Sequence, residues 1–210
     1  MPRVDLSVPF SEKDEARSLG ARWDARRKVW FVPDGVDPGR FGKWFILEPE
    51  INLRASSYFV VEAAAMCWKC HESTSVVSFM LPPGYEVFQF GEFDGERTLP
   101  GFWSTMPDPT IVHYVEHIPP AVADRAMQVK RNYQRNFSKT TSSAYWMNHC
   151  DHCGAKQGDF FLHCEVDGAF QPWEEEDAAR MVLHACAGPF EGYASWAMFG
   201  DFFMGSMQRR

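Results

Sequence analysis

Two pairs of cysteines limit the folds open to this chain more than any other feature of its sequence. Cys67 and Cys70 form one C-x-x-C motif, Cys150 and Cys153 form a second, and 79 residues separate them. A C-x-x-C turn points two thiolates at one metal ion, and two such turns complete the tetrahedral site of a structural zinc. The sequence therefore predicts a four-thiolate zinc site, and the segment between the motifs must fold back so that its ends meet.

The long separation between the motifs does not argue against a shared ion. Pairs of this kind are usually separated by about 15 to 20 residues. Each doubling of a loop costs only about 0.6 kcal/mol, whereas zinc binding in small sites supplies roughly 10 to 16 kcal/mol. Four thiolates leave no open coordination position, so the predicted ion is structural and does not activate water.

Other interpretations of the cysteines stay open at the level of sequence. Residues 67–71 match the C-x-x-C-H pattern of covalent haem attachment, although no export signal is visible. A thioredoxin-like redox pair requires its first cysteine at a helix start, whereas a strand pattern follows Cys70. The two pairs can also be buried separately. A partial metal site would recruit one of four further side chains: His149, His152, His163 or Cys164.

The residues around each motif predict a strand on either side, so that each motif lies at the tip of a hairpin. Helices are expected after Pro119-Pro120 and over 173–185, and a long ordered loop or irregular hairpin over 84–109. The predicted fold class is α+β, with residues 56–210 forming an antiparallel β domain built on a zinc ribbon with a helical insertion. The four predicted strands next to the motifs are 58–65, 74–81, 144–148 and 159–164.

The first 47 residues predict a separate small domain of strand-helix-strand-helix type. Residues 4–8 alternate as a strand does, and 29–32 form a second apolar run before Pro33. Asp37-Pro38 marks the start of a second helix. A unit of this size needs a tightly packed core, which is expected to consist of five aromatic side chains: Trp23, Trp30, Phe31, Trp44 and Phe45.

Two blocks of this small domain carry a family resemblance. They are V8-P-F-S-E-K-D-E-A-R-S-L-G-A-R-W-D24 and K28-V-W-F-V-P33. The segment resembles a small domain of unknown function that is appended to primases and other proteins of conjugative plasmids and related mobile elements. A weaker similarity, in the W-D turn and the basic K-x-W-F strand, is to the annealing-helicase accessory domain that binds forked DNA. The resemblance implies a role near DNA and no chemistry for individual residues.

Basic and aromatic residues adjoin in the same small domain, which predicts weak, salt-dependent binding of single-stranded or forked DNA. In the alternative interpretation, the tryptophans are core residues and the arginines are merely solvated. A second basic surface is expected on the helix after Pro120, from Lys130, Arg131 and Arg135 with Lys139. The predicted nucleic-acid-binding residues of the small domain are Arg22, Trp23, Arg26, Arg27 and Lys28.

The charge distribution and the motif search exclude several functions. Residues 1–45 carry a net charge of +2 and the rest −9, so the bulk of the chain is no general phosphate-binding surface. His113 and His117 lie four apart on a strand pattern, and no carboxylate completes an acid–base set there. A hydrolase-type activity would need a pocket that joins them to an acid from elsewhere. No apolar run reaches the ~18 residues of a membrane span, so a cytoplasmic location is expected.

These observations predict a non-catalytic accessory or adaptor protein that is stabilised by structural zinc. It is expected to act in the DNA metabolism of mobile elements and to bind nucleic acid weakly. The alternative is a protein-interaction or regulatory module without nucleic-acid binding, whose acidic second half docks on a basic partner.

Overall fold

A computed structural model describes residues 3–46, 49–91, 99–198 and 203–210. Contacts within the chain group it into two compact units. The first comprises Met1–Asn52 and Glu86–Thr105, and the second comprises Leu53–Tyr85 and Met106–Arg210. The predicted domain limits, 1–47 and 56–210, stay predictions, but the segment Glu86–Thr105 lies with the first unit, whereas the sequence placed it in the second.

The first unit contains short strands, one α-helix and two 3-10 segments. These elements are β1 (Val4–Leu6), a 3-10 turn (Phe10–Glu12), α1 (Lys13–Ser18), β2 (Arg22–Asp24), β3 (Val29–Val32), a 3-10 helix (Pro38–Trp44), β7 (Glu86–Gln89) and β8 (Phe102–Thr105). Three of the strands form an antiparallel sheet in the order β1-β3-β2. The hairpin of β7 and β8, also antiparallel, falls in the stretch predicted as a loop or irregular hairpin.

The core of the first unit differs from the predicted one at two aromatic residues. Trp23 on β2 is 49% exposed, and Phe31 is half-buried under the Arg3 guanidinium, 4.2 Å from its ring centre. Because side chains of a strand alternate between its faces, the inward position of Trp30 on β3 turns Phe31 to the other side. Leu6 joins Trp30 in the buried cluster, together with Phe41, Trp44 and Phe45.

The second unit is mostly sheet, with few helices. Its elements are β4 (Leu53–Ala55), β5 (Tyr58–Met66), β6 (Ser73–Leu81), β9 (Thr110–His117), α2 (Pro120–Val129), β10 (Gln134–Ser138), β11 (Ser143–His149), β12 (Lys156–Gln157), α3 (Asp159–His163), α4 (Glu175–Ala178), β13 (Val182–Cys186), β14 (Phe190–Met198) and β15 (Gln208–Arg209). The strands run in the order β15-β13-β5-β6-β9-β14-β4, and all neighbours are antiparallel except β13 and β15. In addition, β11 pairs with β10, β12 and β9.

Both faces of this sheet carry apolar packing, because alternate residues of β5 and β6 serve opposite sides. On one face, Val61 and Met80 pack against residues of α3 and α4 and against Phe170. On the other face, the rings of Tyr58, Phe79 and Phe190 pack at centroid distances of 5.4 to 6.0 Å. Within the described ranges, none of the helices combines the length and the apolar character needed to span a bilayer.

Three expectations for the second unit are wrong. The segment 159–164, predicted as a strand, contains the helix α3, since short apolar runs do not distinguish strand from helix. The helix predicted over 173–185 is limited to α4, and its second half is β13, which adds to the edge of β5. The helix after Pro119-Pro120 ends at Val129, before the basic residues that were expected to line it.

Candidate metal centre

The four cysteines of the two C-x-x-C motifs lie at one point. The Sγ atoms of Cys67 and Cys153 are 3.7 Å apart, as are those of Cys70 and Cys150, and all four lie within 4.8 Å of one another. Metal–sulfur bonds of about 2.3 Å in a tetrahedron place neighbouring sulfur atoms about 3.8 Å apart. The thiols are free, and their spacing fits four ligands around a single ion.

Both C-x-x-C turns have the same backbone structure. In the first, the His71 N–H donates to the Cys67 carbonyl at 2.9 Å; in the second, the Gly154 N–H donates to the Cys150 carbonyl at 3.0 Å. His71 and Gly154 also share the left-handed conformation, with φ of 61° and 69°. Glycine adopts this conformation without strain, whereas histidine does so at a cost. The two motifs therefore form matching knuckles, although their sequences differ at this position.

Side-chain hydrogen bonds to the backbone join the hairpins that carry the knuckles. The first knuckle connects β5 to β6, and the second connects β11 to β12. Asn148, at 1% exposure, accepts a hydrogen bond from the Val77 N–H at 2.8 Å and donates one to the Val77 carbonyl at 2.9 Å. The side-chain amide thereby makes the pair of hydrogen bonds that a residue of a neighbouring strand would make. These two bonds join the ends of the segment between the two C-x-x-C motifs.

A second polar link lies beside it and involves Asp151 of the second knuckle. Thr74 donates its hydroxyl to the Asp151 carboxylate at 3.0 Å and accepts the Asp151 N–H at 3.0 Å. The ammonium of Lys130, a residue that is 3% exposed, lies 2.5 Å from the same carboxylate. Burial raises the pKa of Asp151, but the hydrogen bonds from Lys130 and Thr74 outweigh it and lower that pKa.

The predicted basic helix surface is consequently wrong. Lys130 is buried against Asp151 and follows the end of α2. Arg135 lies on β10, where its guanidinium donates to the carbonyls of Glu116 and Ala144 at 3.4 and 3.3 Å. These cations belong to different elements, because the chain leaves the helix after Val129 and turns into β10.

Backbone amides favour the ionised form of the first thiol. Hydrogen bonds from the N–H groups of Cys70 and Lys69 lower the pKa of Cys67 to about 6, and the buried Gln157 amide also donates to its sulfur at 3.4 Å. For Cys70, the amide of Glu72 lowers the pKa, but burial and the adjacent thiols outweigh it and raise the pKa to about 12. Neighbouring thiols at this spacing do not readily ionise together, because their negative charges would repel each other. A bound cation offsets this repulsion and makes ionisation of all four thiols favourable.

The ligands proposed for a partial site lie outside the sulfur cluster. His149 and His152 place ring nitrogens 3.1 and 2.9 Å from the carbonyls of Asn132 and Ser73. Among the described residues, the metal-ligating group within 4.8 Å consists of the four cysteines alone. It includes none of the four alternative ligands, His149, His152, His163 and Cys164.

The predicted nucleic-acid-binding residues surround the β2–β3 turn of the first unit. The Asp24 carboxylate fixes this turn by accepting the N–H groups of Arg26 and Arg27, both at 3.0 Å. The guanidinium of Arg27 lies 3.6 Å from Glu86. All five predicted residues are exposed: Arg22, Trp23, Arg26, Arg27 and Lys28. Their binding to nucleic acid stays a prediction.

A buried polar group between β9 and α3 was missed from the sequence. Asp159 accepts the Tyr114 N–H at 2.6 Å, and burial raises the pKa of Asp159 to about 7. The ring of His163 lies between those of His113 and Phe170, at centroid distances of 5.4 and 4.7 Å. Burial lowers the pKa of His163 well below its usual value. In the sequence, Asp159 stands between Gly158 and a short apolar run, and this pattern does not indicate that the acid is buried.

His113 and His117 do not occupy equivalent positions on β9. His113 is partly buried and packs on His163, whereas His117 is exposed. The register of β9 against β14 shifts between these residues, and Tyr114 has a φ of 48°. This irregularity interrupts the alternation that would place two residues four apart on the same side of a regular strand.

The chain thus belongs to the class of proteins with four clustered thiols in a β-rich unit, and it carries a second compact unit that contains its first 52 residues. Residues 3–45 match the family described as "Domain of unknown function (DUF5710)", which confirms the resemblance seen in the sequence. Two proteins of Escherichia coli, each named DNA primase TraC, are similar to this chain over 42 residues, with 60% and 56% identity.

The matched segment is 20% of this chain and 4% and 3% of the two primases. The chain therefore spans only a small fraction of the length of these relatives. No solved structure matches the chain.

Proposed function

We propose that this protein is a non-catalytic accessory or adaptor protein, stabilised by structural zinc, that acts in the DNA metabolism of mobile elements. The observation that carries the proposal is the cluster of four thiols within 4.8 Å at the tips of two hairpins. A closed four-thiolate site cross-links the chain and offers no coordination position to a substrate. The DNA context comes from the similarity to DNA primase TraC over 42 residues.

In this proposal the second unit is built on a zinc ribbon, with one knuckle on each hairpin. Cys67, Cys70, Cys150 and Cys153 hold the ion, which supplies a cross-link between β5–β6 and β11–β12. Asn148 and Asp151 are already bonded across the same gap. The protein therefore holds the thiols close together, and the entropy cost of assembling the site is reduced.

Metal content tests the zinc site. Purified protein is expected to contain about one zinc per chain, and Cys150→Ser is expected to lose most of it, since three thiolates bind more weakly than four. Cys186→Ser is the matched control, because Cys186 is also a free cysteine of the same unit and lies outside the cluster. Equal zinc content in the two variants would contradict the proposed site.

The proposed DNA contact uses the exposed turn that contains Arg26, Arg27 and Lys28 next to Trp23. Four or so phosphate contacts give weak binding that falls steeply with salt. Reversing the charge of these three residues to glutamate is expected to weaken the binding of single-stranded and forked DNA, measured by fluorescence anisotropy at two salt concentrations. Arg40→Glu, an exposed arginine of the same unit, is the control. Unchanged binding in the triple variant would refute this contact.

A second candidate function is a protein-interaction module. Four large apolar side chains of the second unit are 51 to 65% exposed, and the acids Glu174–Asp177 follow them in the sequence. A basic, apolar partner would complement such a surface. The four side chains are Phe160, Phe161, Val166 and Trp173. Failure to bind any DNA at low salt, with the zinc site intact, would favour this function over the first.

A further inference from the structure

Two aromatic rings of the second unit project into solvent, and one of them belongs to the first knuckle. Trp68, in the first knuckle, is 63% exposed, and Phe137, on β10, is 51% exposed. Lys156 of β12 connects them: its carbonyl accepts the Trp68 indole N–H at 2.7 Å, and its ammonium donates to the Phe137 carbonyl at 2.8 Å. Lys156 therefore links the Trp68 indole of the first knuckle to the β10 backbone at Phe137.

Three exposed lysines accompany these rings. Lys69 follows Trp68, Lys139 lies two residues after Phe137, and Lys156 bonds to the Trp68 indole and to the Phe137 backbone carbonyl. None of the three forms an ion pair with a carboxylate of residues 3–46, 49–91, 99–198 or 203–210. Lys130 of the same unit, by contrast, is buried against Asp151.

We propose that this basic–aromatic surface, formed by Trp68, Lys69, Phe137, Lys139 and Lys156, binds single-stranded nucleic acid. Bases stack on the two rings, and phosphates contact the lysine ammonium groups. Exposed aromatic rings accompanied by cations that have no carboxylate partner are the elements of such a groove, and base stacking of this kind does not depend on sequence. This inference rests on the proposed function and adds to it a second nucleic-acid contact. The contact lies in the second unit and shares no residue with the β2–β3 turn.

The same features disfavour a duplex and a protein partner. In a duplex the bases are stacked on each other, so their faces are not available to Trp68 and Phe137. A protein partner suits the more acidic apolar surface around Trp173 better, because that surface is poor in free cations. The ligand that fits this surface is therefore single-stranded nucleic acid with exposed bases.

Removal of the rings gives the first test. The full-length, zinc-loaded double variant Trp68→Ala, Phe137→Ala is expected to bind a fluorescent oligothymidylate at least about tenfold more weakly, since each stacked base contributes roughly a factor of ten. Trp173→Ala, Phe161→Ala is the matched control, because its rings are 64% and 65% exposed in the same unit. Unchanged affinity in the first variant, or equal loss in both, would overturn the proposal.

Salt dependence gives a readout that a purely structural role would leave unchanged. Replacing Lys69, Lys139 and Lys156 by glutamine is expected to reduce the slope of log affinity against log salt by about 2, at roughly 0.7 per phosphate contact in a single strand. An unchanged slope would contradict phosphate contact by these lysines. Equal loss of duplex binding in this variant would contradict the preference for single strands.

A fold control separates stacking from support of the knuckle. Trp68→Phe keeps an aromatic ring and loses the hydrogen bond to the Lys156 carbonyl, so it is expected to retain the zinc and most of the binding. Loss of binding in this variant with full zinc content would refute the stacking role. Charge reversal of the β2–β3 turn tests the proposed function separately, because it leaves all five residues of the basic–aromatic surface in place.

Discussion

At residue 71 the first knuckle has a histidine where the second has a glycine, Gly154. The two residues accept the same left-handed backbone, with φ of 61° and 69°, because both knuckles must turn sharply enough to bring their sulfur atoms together. A side chain at this conformation costs roughly 1 to 2 kcal/mol, which glycine avoids. The first knuckle therefore carries local strain that the second does not.

His71→Gly is expected to stabilise the zinc-loaded protein by up to about 1 kcal/mol, because the relief of strain exceeds the added flexibility of the unfolded chain. Gly154→Ala is the reciprocal variant and is expected to destabilise by about 1 kcal/mol, since open space surrounds its Cβ position and only the backbone is strained. Denaturant unfolding of both variants gives the measurement. Destabilisation by His71→Gly would show that the imidazole contributes more than the strain costs.

At the scale of elements, the contact between α3 and β9 depends on a buried acid. Asp159, the first residue of α3, accepts the Tyr114 N–H of β9, and burial raises the pKa of Asp159 to about 7. In the unfolded chain an aspartate has a pKa of about 3.9. Between these values the unfolded acid is ionised and the folded acid keeps its proton, so this group destabilises the fold progressively as pH rises from about 4 to about 7.

Asp159→Asn is expected to remove that pH dependence, since an amide oxygen still accepts the Tyr114 N–H and never ionises. The difference in unfolding free energy between variant and wild type should increase by up to about 1.4 kcal/mol per pH unit through the window from 4 to 7. The buried His163 acts with the opposite sign and is common to both proteins, so the difference isolates Asp159. Asp124→Asn, on the exposed side of α2, is the control for loss of a carboxylate, and a flat difference for Asp159→Asn would refute the interpretation.

The sequence predicts helices and strands well where a local residue pattern determines the conformation. It predicts them poorly where the conformation depends on pairing or packing with a distant strand. Alternation located β5, β6 and β11, and the cysteine spacing predicted which hairpin tips meet. The run 159–164 and the segment after Ala178 were misassigned, because their conformation depends on packing against the sheet and on pairing with β5. The bonds from Asn148 to Val77 and the burial of Lys130 are contacts between distant residues, which no local pattern in one sequence reveals.

At the scale of the whole molecule, the predicted metal serves only one of the two compact units. The first unit has its own buried cluster around Trp30 and Phe41, and all four cysteines belong to the second. Metal loss should therefore act unequally along the chain. Chains lacking the ion lose a cross-link between two hairpins but keep the core of the first unit.

Hydrogen exchange with and without a strong chelator provides the measurement. Chelation is expected to speed amide exchange at least about tenfold over 66–74 and 148–157, where the knuckles and adjoining strand ends lie, because local opening no longer breaks metal–sulfur bonds. Exchange in β1 and β3 should not change. Uniform acceleration over both units would contradict this division, and no acceleration would contradict metal binding by the knuckles.

The position of the two knuckles along the chain has a consequence for biosynthesis. The ribosome completes Cys70 80 residues before Cys150, which at about 5 to 20 residues per second is an interval of roughly 4 to 16 s. During this interval the nascent polypeptide presents a two-thiol half-site, open to oxidants and to competing ions. Correct loading of the proposed zinc site would therefore require a reducing environment until translation has delivered the second pair of cysteines.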